Sequence, residues 1–106
     1  MLNIEAIKLA CTDDTIIITE HARERMKERN IRYDDIISSI MCGEIIEQYE
    51  DDKPYPSCLI LGCESINPLH IVLSFDAGAI WVITAYVPTP EKWNLGFKTR
   101  KAAELK

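Results

Sequence analysis

The chain has 106 residues, 47% of them hydrophobic and 27% charged, which is enough to bury one core without disulfide or metal staples. A formal net charge of −5 excludes a protein that coats a polyanion by bulk electrostatics, so any nucleic-acid contact must be local. No apolar run approaches the roughly 18–20 residues that cross a bilayer. The opening MLNIEAIKLACTDD lacks the basic-then-apolar order of a secretion signal, and the expected compartment is the cytoplasm.

In chain order, residues 2–11 place Leu2, Ala6, Leu9 and Ala10 at helical intervals and predict a short amphipathic helix. Ile16 to Ile18 is a brief β-branched run leading into TEHARERMKERNIR, residues 19–32. That stretch predicts a second helix, with Thr19 capping its first turn and Asn30 closing it in a left-handed conformation. A third helix is expected from Tyr33 to Cys42, where Ile36, Ile37, Ile40 and Met41 form a broad apolar face and Gly43 marks the stop. Beyond Gly43 the period changes from 3.6 to 2. Strands are expected at 44–50 (a charged edge), 57–64, 69–75 and 79–87, with turns at 51–56 and 65–68 and a three-residue connection Asp76-Ala77-Gly78. The fold class is therefore α+β in a single domain, with N-terminal helices packed on one face of a four-stranded antiparallel sheet. Thr89-Pro90-Glu91 reads as a helix start, Trp93 as a cover for the sheet end, and the basic tail after Gly96 as a solvated end.

The cysteines at 11, 42, 58 and 63 form no CxxC pair, and the expected compartment argues against a disulfide framework. Cys58 and Cys63 with a histidine could in principle hold zinc, but four-ligand sites usually show closer paired spacings. No metal or other cofactor is expected.

Polar groups draw attention at two places. At about 100° per residue, His21, Arg25 and Arg29 share one side of their helix, beside the apolar Ala22 and Met26. Guanidinium groups fixed at the edge of a buried face suit an anion, although arginines also pair with a fold's own acids. In the last hairpin, pairing Phe75 with Ala79 places His70 opposite Thr84 with Tyr86 as its diagonal neighbour. That register sends Leu69, Ile71, Leu73, Phe75, Ala79, Trp81, Ile83 and Ala85 to the helices. The acids of 44–52 are expected to lie away from His70 or to partner the helix arginines, since free carboxylates would repel a nucleic acid.

The motifs ITEHARERMKERNI, GEIIEQYEDDKPYPSCLILG, PLHIVLSF and ITAYVPTPEKW, in that order over about residues 16–94, resemble the domain-of-unknown-function family 4258 (DUF4258). The resemblance implies a relative of the RelE and ParE toxins, whose helices pack on a small antiparallel sheet. It implies the toxin half of a toxin–antitoxin pair, with RNA (mRNA on the ribosome among its forms) as substrate and a zinc-finger antitoxin as partner. Carried over, the polar positions are His21, Arg25, Arg29, His70 and Tyr86, a set suited to metal-independent endoribonuclease chemistry. A base takes the 2′-hydroxyl proton, cations stabilise the phosphorane and an acid protonates the leaving oxygen. The alternative is a non-catalytic interaction module of the same fold, with its arginines held by acids such as Glu47, Glu50 or Asp51 and its histidines structural. A small-molecule enzyme using the same pocket is a third possibility.

Overall fold

The computed structural model describes residues 1–63 and 68–101. Helix α1 (Ile4–Ala10) starts at Asn3, whose side chain accepts from the amides of Glu5 and Ala6. Strand β1 (Ile16–Ile18) leads to α2 (Glu20–Glu28), capped by Thr19 Oγ1, which accepts from the Ala22 amide at 3.1 Å. Asn30 closes α2 with φ 57°, as its sequence position predicts. Helix α3 (Tyr33–Cys42) has the expected limits, and its first-turn Asp35 accepts from the Arg32 amide. Then come β2 (Glu44–Tyr49), β3 (Ser57–Leu61), β4 (His70–Asp76) and β5 (Ala79–Tyr86).

Among the described residues the fold is α+β with three helices and one five-stranded mixed sheet, in the order β1-β5-β4-β3-β2. This corrects the four-stranded antiparallel expectation. The run 16–18 pairs in parallel with 80–82 and becomes the far edge of the sheet. A parallel partner needs no hairpin, so no turn signal marks the pairing in the sequence. The turn expected at 65–68 falls largely on residues 64–67, outside the described ones.

The helices cover one face, where Ile7, Ala22, Met26, Ile36 and Ile40 meet Cys58, Ile60, Ile71, Leu73, Ile80, Val82 and Ala85. The hairpin differs from its expected register. Asp76 pairs with Ala79 across a two-residue turn, Ala77-Gly78, both at positive φ (53° and 80°). Leu73 then faces Val82, a bulge absorbs Ile83, and beyond it Ile71 faces Ala85 and His70 faces Tyr86 directly. Trp81 consequently leaves the core and is 38% exposed, while Ile80 and Val82 take the inner positions. Five consecutive apolar residues, 79–83, give alternation nothing to decide between the two registers.

Two glycines allow α3 to end tightly against β3. A Cβ at Gly43 would stand 2.4 Å from the Ser39 carbonyl oxygen and 2.6 Å from that of Leu61, and one at Gly62 would stand 2.6 Å from Ser39 Oγ. This close approach brings Cys42 to Cys63, and the two form a disulfide, contrary to the expectation of reduced cysteines. The pair is 21 residues apart in sequence, so only the tertiary approach of α3 to β3 reveals it. Cys63 is therefore not the free thiolate that a zinc site with Cys58 would require.

Candidate functional site

The sheet face turned away from the helices carries Glu47 and Tyr49 of β2, Leu59 and Leu61 of β3, His70 and Val72 of β4, and Thr84 and Tyr86 of β5. Residues 88–101 fold back over it. They form turns and not the helix expected at Thr89, because the Thr89 carbonyl is taken up by the amides of Lys92 and Trp93 without a following helical turn. Trp93 pairs with Arg100 in an antiparallel bridge, and the Lys101 amide donates to the Lys92 carbonyl at 2.9 Å. Asn94 braces the loop: its amide and its Nδ2 donate to the carbonyl and the hydroxyl of Thr99, each at 2.8 Å.

His70 lies at the centre of this contact and is fully buried. Its Nε2 stands 2.9 Å from the Phe97 carbonyl oxygen and its Nδ1 3.2 Å from the Tyr86 hydroxyl. A carbonyl only accepts, so Nε2 carries the proton and the bare Nδ1 accepts from Tyr86. Burial, against the opposing pull of the Phe97 carbonyl and Glu47, pushes the imidazole pKa below its ordinary value. Gly96 (φ 92°) and Phe97 (φ 61°) sit in the left-handed region, an uncommon conformation for phenylalanine, in the turn that presents this carbonyl. Trp93, 3% exposed, stands edge-on to the imidazole with ring centroids 4.4 Å apart. The Arg100 guanidinium lies 4.6 Å from the Trp93 ring centroid on its face.

Arg100 also makes a two-pronged pair with Glu47, Nε to Oε2 at 3.0 Å and Nη2 to Oε1 at 3.1 Å. Burial raises the Glu47 carboxyl pKa, but hydrogen bonds from Arg100 and Tyr49 outweigh it and hold the group below the usual carboxylate range. Burial and the bond to Glu47 push the Tyr49 phenol up to about 12. Glu47 is thus on the His70 face, held by the tail arginine. The expectation that the acids of this segment would lie elsewhere, or pair with helix arginines, is corrected at this residue.

The candidate residues separate into two groups. Arg29, at the end of α2, donates from Nη1 to the Ala85 carbonyl at 2.8 Å, which fixes its guanidinium beside the end of β5. Arg29 and Tyr86 line one open cleft of about 780 Å³ together with Thr89, Lys92, Trp93 and Arg100, and Glu91 is the acid in its lining. His70 lies behind that lining, joined to it through Tyr86 and Trp93. Arg25 instead pairs with Glu28 of its own helix at 2.9 Å, and His21 is exposed, not at the border of the buried face. Neither His21 nor Arg25 lines the cleft. Sequence reasoning missed Lys92 and Arg100, and it named Glu47 only as a partner for the helix arginines, whereas Glu47 pairs with Arg100. The available signal was a tryptophan close to a basic tail, which charge pattern alone assigns to solvent.

A cleft of cations around a phenol can hold a carboxylate or a phosphate. Proton transfer to a substrate from His70 is not available in this form, since both its nitrogens are engaged. Among the described residues no group of three or more histidine, cysteine or acidic side chains is placed to hold a metal ion. No helix among them is long and apolar enough to cross a membrane.

This α+β architecture and its motifs agree with a match to one family model, described as Domain of unknown function (DUF4258), over residues 4–87. The chain belongs to that family. Neither the curated proteins nor the solved structures compared with it give a match.

Proposed function

We propose that the chain is a non-catalytic interaction module of RelE/ParE-like fold, the toxin-side member of a toxin–antitoxin pair. Its cleft takes an acidic segment of a protein partner, with a zinc-finger antitoxin as the partner implied by the resemblance. The observation that carries this reading is the state of the two histidines. His70 is buried with both nitrogens engaged, and His21 is exposed on α2 outside the cleft. Acid–base cleavage of RNA by this histidine pair would need both imidazoles on one open surface. Arg29 and Lys92, by contrast, form no ion pair among the described residues and face the cleft. At a net charge of −5, a short acidic peptide meets less long-range repulsion than a polynucleotide.

A second reading, the metal-independent endoribonuclease, has one specific observation in its favour. Arg29 and Tyr86 line the same cleft, so a charge stabiliser and a phenolic proton donor stand near one potential phosphate position. One experiment separates the two. Purified protein is incubated with RNA in the presence of a chelator and titrated in parallel with a glutamate-rich peptide. The module reading expects intact RNA and peptide binding that weakens about tenfold in Arg29→Ala, the size of one charge-assisted hydrogen bond. RNA cleavage that disappears in both Arg29→Ala and Tyr86→Phe would put the ribonuclease in its place.

A further inference from the structure

The disulfide between Cys42 and Cys63 is placed unlike a buried staple. Both cysteines are exposed, where the end of α3 meets the end of β3. They line a pocket of about 450 Å³ together with Glu44, Leu61, Pro68 and Phe97. That is room for a small molecule, and the pocket shares no lining residue with the cationic cleft. The bond does not hold the junction alone. Ile36, Ser39 and Ile40 of α3 are buried, and Gly43 and Gly62 let α3 and β3 touch. Opening the bond therefore leaves the two sulfurs side by side in a folded chain, and accessible disulfides are the labile ones. The sulfurs are also not equivalent. The Cys63 amide donates to Cys42 Sγ at 3.2 Å, so Cys42 is a sulfur with a donor already in place for a thiolate. Two groups oppose a charge there: the C-terminal end of α3, whose last residue is Cys42, and the Glu44 carboxylate. Lys98 offsets the second by pairing with Glu44 at 3.0 Å, and an amide bond to a charged atom exceeds the effect of a helix end.

We propose that the Cys42–Cys63 bond is a modification site for low-molecular-weight thiols, with Cys63 as the sulfur attacked and Cys42 as the sulfur that leaves. The incoming thiolate bonds to Cys63 Sγ, the Cys42–Cys63 bond breaks, and its electron pair stays on Cys42 Sγ beneath the Cys63 amide. The thiol's proton goes to solvent, so the exchange needs no separate oxidant or reductant. The adduct lies in the pocket against Gly96 and Phe97, the turn whose carbonyl bonds His70. Return attack by Cys42 restores the disulfide and releases the thiol, which makes the modification reversible.

The test uses the native full-length chain. It is exposed briefly to reduced glutathione, quenched in the folded state with N-ethylmaleimide and cleaved at glutamates, and each label is located by tandem mass spectrometry. Cys58, fully buried in the helix-side core, serves as the control for unfolding. The expected result is glutathione on Cys63 with maleimide on Cys42. This pattern should exceed the reverse one by about tenfold, the size of one charge-assisted hydrogen bond. Cys58 should stay unlabelled throughout. Three results would overturn the proposal. Four free thiols in the untreated chain would remove the bond itself. An adduct on Cys42, or one shared equally, would remove the role given to the Cys63 amide. No adduct, or one that forms only as Cys58 becomes reactive, would make the bond a staple reached only by global unfolding.

Discussion

His70 illustrates how a polar residue can be essential to a fold through satisfaction alone. Removing it would leave the Phe97 carbonyl without its donor, Tyr86 without its acceptor and a cavity beneath Trp93. His70→Ala is expected to cost about 2–4 kcal/mol, measured by urea unfolding, from lost volume and unmade hydrogen bonds. The same residue makes stability depend on pH. Its folded pKa is depressed, so the unfolded chain binds the proton more readily. The contribution is complete above about pH 6.5, the unfolded value, and is lost as pH falls from there toward the lower folded value. The difference in stability between wild type and His70→Gln should therefore shrink between pH 7 and pH 5. A difference that stays flat, or an NMR titration placing His70 above 6.5, would contradict the neutral, sealed imidazole. That His70 and Tyr86 share a face was legible from alternation, but their direct pairing was not, because it depends on where the bulge falls. His21 and Arg25 show the opposite limit: one helical side was read correctly as a stripe, yet the stripe points only in part toward the sheet. Only Arg29, at the end of α2, reaches across.

Among the elements, helix limits were the most legible, since Thr19, Asn30 and the isoleucine spacing of α3 each act locally. The sheet was less so. β1 was missed as a sheet member because parallel pairing is set by the packing of α2 on β5, not by a turn. The junction of α3 with β3 was invisible in sequence, although two glycines and two cysteines specify it. Gly43→Ala would drive a methyl group into two backbone carbonyls that cannot swing aside. It is expected to destabilise by about 2–3 kcal/mol, or to shift the end of α3, as thermal unfolding would register. Reduction of the Cys42–Cys63 bond releases a loop of 21 residues and should lower stability by about 3 kcal/mol on the chain-entropy account. Chemical denaturation with and without reductant, together with intact mass, tests this. An unchanged midpoint would mean that the glycine-enabled packing holds the junction without the bond.

For the molecule as a whole, acidity and a local cationic cleft coexist because the bases concentrate in α2 and in residues 92–101. The net charge led to the expectation that any nucleic-acid contact would be local, but the sequence could not show that two distant basic segments meet at the end of β5. The cleft's peptide affinity should weaken with salt, and Lys92→Ala should reduce that salt dependence, as fluorescence titration at several ionic strengths would reveal. Because residues 88–101 supply one wall of the cleft and α2 with β5 the other, a ligand bound there would tie the tail to the sheet. An anion present at 100 times its dissociation constant would add about 2.7 kcal/mol to that hold, so the occupant of the cleft would serve as a clasp between the two ends of the chain's polar surface.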